Sequence, residues 1–465
     1  MMLSHSNAYC NARLYTRSCL GQVGVALLAL AGAAVAQTSP TPGSLDTGFT
    51  TAVNGIVYTV AVQPDDKVLV GGEFTRVNGV DRDYLVRLNP DGTIDDSFVH
   101  LPGADGTVRS ISLQGGGKIL LGGDFDSING ASWTRIARLN NDGSVDNGFS
   151  PGTGANGRVQ VVIAQPDGKV LVGGSFTKIN GVTHNYIARL NNDGSVDSGF
   201  NANADGTVYA VAVQPDGKVL IGGYFTQVNN QQHHYLTRLN SDGSLDNTFT
   251  AGADLTVNAI ILLDGGKILV SGEFGRINDV YRTSLARLNT DGSLDNGFSG
   301  QTSGSVYAMA VQSDGKIIIG GRFTSVNGVG RNNVARLNAN GTLDPAFDVG
   351  AGPSYRALAL ALHSNGKALV GGDFTTFNFV DQPYLARLNG DPATNTILEA
   401  MIWTAVEIGW NSESNVLYQI QWAPAVDTNT WFNLGEPVTG NGGTNYVFDS
   451  TRNATKRFYR VQKLE

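Results

Sequence analysis

The sequence predicts an all-β fold: a seven-bladed β-propeller of four-stranded blades, closed by an N-terminal strand and followed by a small antiparallel β-sandwich. Three observations carry this. A tetrapeptide recurs seven times, as GGEF at 71–74, GGDF from 122, GGSF from 173, GGYF from 222, SGEF from 271, GGRF from 320 and GGDF from 371. The copies stand 51, 51, 49, 49, 49 and 51 residues apart, a period suited to four-stranded propeller blades. Between them the chain alternates in the short rhythm of strands, with no helical periodicity over a useful length.

One repeat gives the elements in order. VYAVAVQ at 208–214 alternates as a first strand, PDG turns it, and KVLIGGYF at 218–225 returns as a second. After a loop, YLTRLN at 235–240 makes a third strand, SDG turns again, and SLDNTF at 244–249 makes the fourth. The first two strands set Val and Leu opposite Ala and Gly, apolar on both faces, as sheets buried between neighbouring blades require.

The fourth-strand pattern (Ser or Thr, an aliphatic residue, Asp, then Phe three residues on) starts at 44, 93, 144, 195, 244, 293 and 342. In the copy NDGSVDSGF at 192–200, Asp193 and Asp197 flank a glycine in the manner of a calcium loop. A turn needed by every blade explains seven copies better than one metal or catalytic site does. Glycine supplies positive φ, Asn or Asp bonds its own backbone, and the spacing departs from an EF-hand. GSLDTGF at 43–49 stands before the first complete repeat, whereas the seventh runs through ARLNGDP and never reaches a fourth strand. The N-terminal strand is therefore expected to complete the last blade and close the ring non-covalently.

Charged positions recur with the repeat. Arg87, Arg138, Arg189, Arg238, Arg287, Arg336 and Arg387 share one strand position, and Asp46, Asp95, Asp146, Asp197, Asp246, Asp295 and Asp344 share another. An intrablade, partly buried Arg to Asp pair is expected. The turn lysines, Lys67 through Lys367, are expected on solvated turns, and Asn78, Asn129, Asn180, Asn229, Asn278, Asn327 and Asn378 as loop caps. The pattern GGxFxxxNG…ARLNxDGSLDxxF, over roughly residues 43–391, resembles the bacterial delta-sixty repeat. The resemblance implies a propeller fold and export, and no particular activity. Ser271 departs from it in the fifth copy, and the seventh lacks the aspartate turn after RLN.

Function is expected where the seven-fold pattern breaks. Strand order sends the PDGK and NxDGS turns to one face of the disc, where they are nearly identical, and the varied loops to the other. One varied column reads Arg82, Trp133, His184, His233, Arg282, Arg331 and Gln382. A second, on the inner strand, reads Tyr58, Arg109, Gln160, Tyr209, Asn258 and Tyr307, with Leu358 and the nearby Arg356 in the seventh blade. Together they suit a polar, aromatic-rich mouth over the channel that binds an extracellular protein, peptide or glycan; an ordinary solvated rim is the alternative. The third column, Glu73, Asp124, Ser175, Tyr224, Glu273, Arg322 and Asp373, brings carboxylates. Glu73, Asp124, Glu273 and Asp373 would serve a cation site, calcium for instance, or the paired acids of a carbohydrate-active hydrolase or lyase. A binding scaffold without cofactor is preferred to that enzyme. The chain carries no zinc-protease, nucleophile-elbow or P-loop motif, and the adjacent His233 and His234 point to opposite sides of a strand.

The two ends differ from the repeats. Residues 1–36 hold Arg13, Arg17, no acid, and the apolar run VGVALLALAGAAVA ending in Ala34-Val35-Ala36, which predicts a secretory signal peptide followed by a linker at 37–42. Cys10 and Cys19 both lie within it, so the mature chain would have no disulfides. Without Arg13 and Arg17, 30 basic residues face 40 acidic ones, a net charge of −10 that disfavours nucleic acid. A monomer exported to the periplasm, cell surface or medium, with no membrane span, is expected. Past the propeller at 43–391, residues 392–465 hold Trp403, Trp410, Trp422 and Trp431 among short alternating runs. They read as a β-sandwich similar to fibronectin-type or immunoglobulin-like modules, its tryptophans either core or a carbohydrate platform.

Overall fold

The alternating segments of each repeat pair into an antiparallel sheet of inner, middle and outer strands. In the first blade these are Ile56–Val62, Val68–Glu73 and Leu85–Leu88; in the fourth they are Thr207–Val213, Val219–Tyr224 and Leu236–Leu239. This computed structural model describes residues 25–26, 40–99, 103–391, 405–423, 430–450 and 458–464. It divides into one unit over residues 39–394 and another combining 1–38 with 395–465. Of the expected signal peptide only Val25–Ala26 is described, paired with Ile408 and Glu407. The rest of 1–36, residues 37–39 of the linker, and residues 392–404 with Trp403 lie outside the described residues.

Two elements depart from expectation. The fourth strand is reduced to a single bridge, Leu88 to Ile94 in the first blade and Leu239 to Leu245 in the fourth. The reason is local, because the Asp246 carboxylate accepts the Thr248 amide at 3.0 Å and the Asp246 carbonyl accepts the Phe249 amide at 3.1 Å. The chain therefore turns away after one rung. Conversely, the loop after the middle strand contains a two-stranded hairpin, Arg76–Val77 with Val80–Asp81 in the first blade. Asn78 and Gly79 have φ of 52° and 77°, the two left-handed residues that a tight hairpin of this hand requires.

Glycine explains how closely the sheets approach. A Cβ on Gly71 would lie 2.7 Å from Val108 Cγ1 of the second blade, and one on Gly371 would lie 2.5 Å from Val57 of the first. The first glycine of the pair thus lets the middle strand receive the inner strand of its neighbour in every blade but the fifth, where Ser271 stands in its place. Two phenylalanines per blade, such as Phe176 and Phe200, are fully buried against these seams, each contributing about 1.5–3 kcal/mol of hydrophobic burial. The N-terminal segment meets the seventh blade through the Leu45 to Leu388 bridge, and Ser44 accepts the Asn389 amide at 2.8 Å.

The other unit has two antiparallel sheets. Ala405–Asn411 pairs with Thr444–Ser450, while Leu417–Ala423 pairs with Phe432–Asn433, Val438–Thr439 and Phe458–Lys463. Ile408 and Trp410 of the first sheet share a buried cluster with Tyr418 and Ile420 of the second. Trp422 instead stacks on Phe432 at 5.0 Å, and Trp431 lies 4.5 Å beneath the Arg460 guanidinium.

Candidate binding face

The turn face is built from one repeated cluster. In every blade the strand arginine donates through Nε to the repeat aspartate at 2.6–2.9 Å, with Arg387 reaching Asp46 of the N-terminal segment. The turn lysines are not simply solvated. Each brings Nζ to within 2.6–3.3 Å of the same aspartate, because the preceding turn holds its backbone, as Asp216 Oδ1 does for the Lys218 amide at 3.1 Å. The arginine also lies over the repeat phenylalanine, Arg238 at 4.7 Å from the Phe249 ring centre, and reaches the next blade, Arg189 Nη1 donating to Ser241 O at 2.6 Å. Burial alone would raise the Asp197 pKa, but donors from Lys169, Gly199 and Arg189 outweigh it and bring it down to about 2. Asp193, the other acid of the 192–200 turn, accepts Ser195 N at 2.9 Å and its hydroxyl at 2.7 Å. Both carboxylates are thus engaged in the turn itself. No group of three or more metal-ligating side chains lies together among the described residues. The repeat asparagines do more than cap: Asn78 Oδ1 accepts Ala52 N at 2.8 Å and Nδ2 donates to Gly92 O at 3.1 Å, tying the hairpin to two other segments.

On the loop face the two varied columns separate. Tyr58, Arg109, Gln160, Tyr209, Asn258, Tyr307 and Leu358 each occupy the residue skipped at a β-bulge in the inner strand, a device that re-aims a side chain. Here side chains do converge across blades. Tyr58 Oη donates to Glu73 at 3.2 Å, Arg109 stacks 4.6 Å from the Tyr58 ring centre, and Asp124 accepts Arg109 and Arg158 at 2.7 Å each. Burial raises the Tyr58 pKa, and Glu73 adds to this against the pull of Arg109. In the seventh blade Arg356 donates to Asp373 at 2.7 Å, which raises the arginine's own pKa, and Arg356 and Arg322 flank Tyr355 at 5.2 and 5.4 Å. Three of the four acids expected to hold a cation therefore already have a partner: Glu73, Asp124 and Asp373. Glu273 is exposed. Arg158 and Tyr355 escaped the sequence reading, although they stand where most other blades have a small or hydroxyl residue, such as Thr107 and Gly304.

The other column does not reach this mouth. Each backbone amide is tied back to the start of its hairpin, Arg82 N to Thr75 O at 3.0 Å and His184 N to Thr177 O at 3.1 Å. The side chains consequently turn toward the blade edges and the seams. Arg82 reaches Asp96 at 3.3 Å, and Arg282 and Arg331 bond the backbone carbonyls that precede them. Trp133 joins the cores of the second and third blades, and Gln382 Nε2 donates to Thr51 O at 3.2 Å across the seam to the first. His184 is buried, which holds its pKa below the usual value; burial does the same for His233, whose Nδ1 lies 3.1 Å from Thr237 Oγ1.

The repeats match the model of a domain of unknown function, the DUF5122 beta-propeller, at residues 63–98, 114–149, 165–200, 214–249, 266–298, 312–347 and 363–391, together over half the chain. The chain belongs to this family. No curated protein matches the sequence of this DUF5122 propeller. Among solved structures it is similar to the extracellular domain of the one-component system BT4673 from B. thetaiotaomicron, at 11% identity and a TM-score of 0.41, covering 92% of the DUF5122 chain. The chain spans only 56% of that domain's length. It is also similar to YCF48 bound to D1 peptide (12% identity, TM-score 0.43, 76% of this chain and 99% of that one). A third is PorZ, a surface component of the type-IX secretion system of Porphyromonas gingivalis (11% identity, TM-score 0.39, 90% and 58%). No helix among the described residues of the DUF5122 propeller is long and apolar enough to cross a membrane.

Proposed function

We propose that this propeller is an exported binding scaffold that takes a protein, peptide or glycan ligand over the mouth of its loop face. One observation carries the reading. The turn face spends the same Lys, Arg and Asp residues on the same cluster in every blade, whereas the seven bulge positions hold Tyr, Arg, Gln, Tyr, Asn, Tyr and Leu. Identical bulges bearing different side chains suit recognition of an asymmetric ligand. Arginines occupy both carboxylate oxygens of Asp124 and one, Oδ2, of Asp373, which favours recognition over acid–base chemistry and a scaffold over an enzyme. The contacts of residues 43–46 with the seventh blade support a ring held shut by its N-terminal segment, and the leader-like 1–36 supports export.

The test uses the full mature chain on arrays of peptides, glycans and cell-wall fragments. Tyr209→Ala should weaken binding at least tenfold with an unchanged urea midpoint, while Trp422→Ala in the other unit leaves binding intact. Binding that follows Trp422 and ignores Tyr209 would move recognition to the C-terminal sheets.

A further inference from the structure

The fourth blade breaks the pattern most sharply. At the end of its middle strand stands Tyr224, 58% exposed, where the other blades have Glu73, Asp124, Ser175, Glu273, Arg322 and Asp373. Its ring centre lies 5.9 Å from that of Tyr235, which in turn lies 6.3 Å from His234. The positions of Tyr235 and His234 hold other pairs elsewhere, among them Arg135 with Thr134, Ser284 with Thr283, and Asn333 with Asn332. No other blade has three rings at these three positions. The hairpin tip differs too. Gln231 and Gln232 are both exposed, whereas the first, third, fifth, sixth and seventh blades present Val80, Val182, Val280, Val329 and Val380 in place of Gln231.

These rings lead somewhere. His234 and Tyr235 also line a groove of about 500 Å³ toward the fifth blade, whose far wall is Asp254, Arg276 and Asp279. Asp254 Oδ1 is taken up by the amides of Gly275 and Arg276 at 2.8 and 3.0 Å, which fixes the carboxylate in place. A track of flat rings thus runs from the end of the middle strand, beside the bulged Tyr209 of the same blade, outward to a polar groove.

We infer that this track binds a neutral oligosaccharide. A pyranose ring presents one face of C–H groups and an equatorial girdle of hydroxyls. The first needs an aromatic surface, which Tyr224 and Tyr235 supply at low entropic cost. The second needs donors and acceptors together, which side-chain amides, imidazole and carboxylate provide. The ligand is neutral because the track itself offers rings, amides and an imidazole, and the groove's Asp254, Arg276 and Asp279 bring charges of both signs rather than one. A tract several rings long suits a chain of sugars rather than a single one. The inference rests on the loop face being the recognition face, and names the ligand class there.

The experiment titrates the full chain with cellohexaose, maltohexaose, xylohexaose and chitohexaose by calorimetry, and with pools of acidic and basic decapeptides. Saturable binding of one or more hexaoses is expected. It should weaken at least tenfold in Tyr224→Ala and in the double variant Tyr224→Ala/His234→Ala, and should hold within twofold in Arg109→Ala on the second blade. Tyr224→Phe should retain most of the affinity, since the face and not the hydroxyl does the stacking. Hexaose binding unchanged by Tyr224→Ala overturns the placement, and binding of peptides alone, sensitive to Arg109→Ala, overturns the glycan class while leaving the mouth as the recognition face. If no hexaose bound, the glycan class would fall, and if binding ignored Tyr224, His234, Arg109 and Tyr209 alike, both readings would fall.

Discussion

The two faces of the propeller use opposite ends of the same strands for different purposes. On the turn face, a lysine, an arginine and a phenylalanine surround one aspartate in each blade, and the arginine crosses to the next blade. On the loop face, a bulge of constant geometry displays five residue types over seven blades. Seven-fold chemistry therefore marks what ties neighbouring blades together, and seven-fold geometry with varied chemistry marks what the loop face presents.

The largest effect that would break this contrast lies in the turn face. Arg238 and Asp246 are both buried, and Arg238 also stacks on Phe249. Arg238→Ala leaves a buried carboxylate with one partner fewer, and is expected to lower unfolding free energy by about 3–5 kcal/mol. Tyr224→Ala on the loop face of the same blade should stay within about 0.5 kcal/mol. Urea unfolding of the pair decides. Equal effects would mean that stability is not divided between the faces as the contacts indicate.

Acid sharpens the comparison, because the turn face carries the same shifted carboxylate in every blade. All seven repeat aspartates have lowered pKa values, Asp295 to about 2 through Lys267 first and Arg287 beside it. A carboxyl whose folded pKa is lowered stabilises the fold above its unfolded value of 3.8, and that stability is lost as pH falls from there toward 2. Three histidines with lowered pKa values, His184, His233 and His363, add an earlier step, and only His363 belongs to the turn face. His363 is buried at the junction of the seventh and first blades, where other blades have Gln or Leu263. Burial lowers its pKa first and the Arg387 charge next, with Lys367 adding to these; Asp66, 3.4 Å from Nδ1, opposes them. The unfolded chain then takes up the proton first, so stability is lost as pH falls below the ordinary 6.5. His363→Gln should flatten part of the decline in unfolding midpoint between pH 6.5 and 5 and leave the decline below pH 4 unchanged. A decline identical to wild type above pH 5 would remove His363 from the account.

Legibility followed the same division. The repeat, its period and the Arg to Asp pair could be read from sequence because each is copied seven times and rests on residue type alone. The lysines were misplaced because a turn residue is normally solvated, and nothing local says that the Lys218 stem crosses to Asp246. The fourth strand was overextended for a related reason: SLDNTF alternates as a strand, yet its aspartate bonds its own backbone two residues on. The mouth was half legible. Both varied columns were visible, but only the bulge register shows that Tyr58 and Arg109 meet while Arg82 and His184 turn toward the blade edge or seam. Arg158 and Tyr355 needed a column-by-column comparison of residues that look unremarkable singly.

The smallest effect tests how each face tolerates strain. Phe379, at the hairpin tip of the seventh blade, has φ of 62° and is 89% exposed, where other blades place Gly79, Gly130, Gly181, Asn230, Asp279 and Gly328. A left-handed conformation costs a bulky L-residue about 1–2 kcal/mol, and here no burial offsets it. Phe379→Gly should therefore raise stability by about 0.5 kcal/mol, the relief of strain exceeding the entropy glycine gives the unfolded chain. The turn face holds a counterpart. Asp66 occupies a glycine position of the PDG turn at φ of 61°, but its carboxylate accepts the Ser364 hydroxyl at 3.0 Å from the seventh blade. Asp66→Gly relieves the same strain and removes that cross-blade bond, so it should leave stability unchanged or lower it. Opposite signs for these two glycine substitutions, read from urea midpoints, would show that one face offsets its strained residue with a contact and the other leaves Phe379 in solvent. A destabilising Phe379→Gly would instead mean that its ring has a partner in the folded protein.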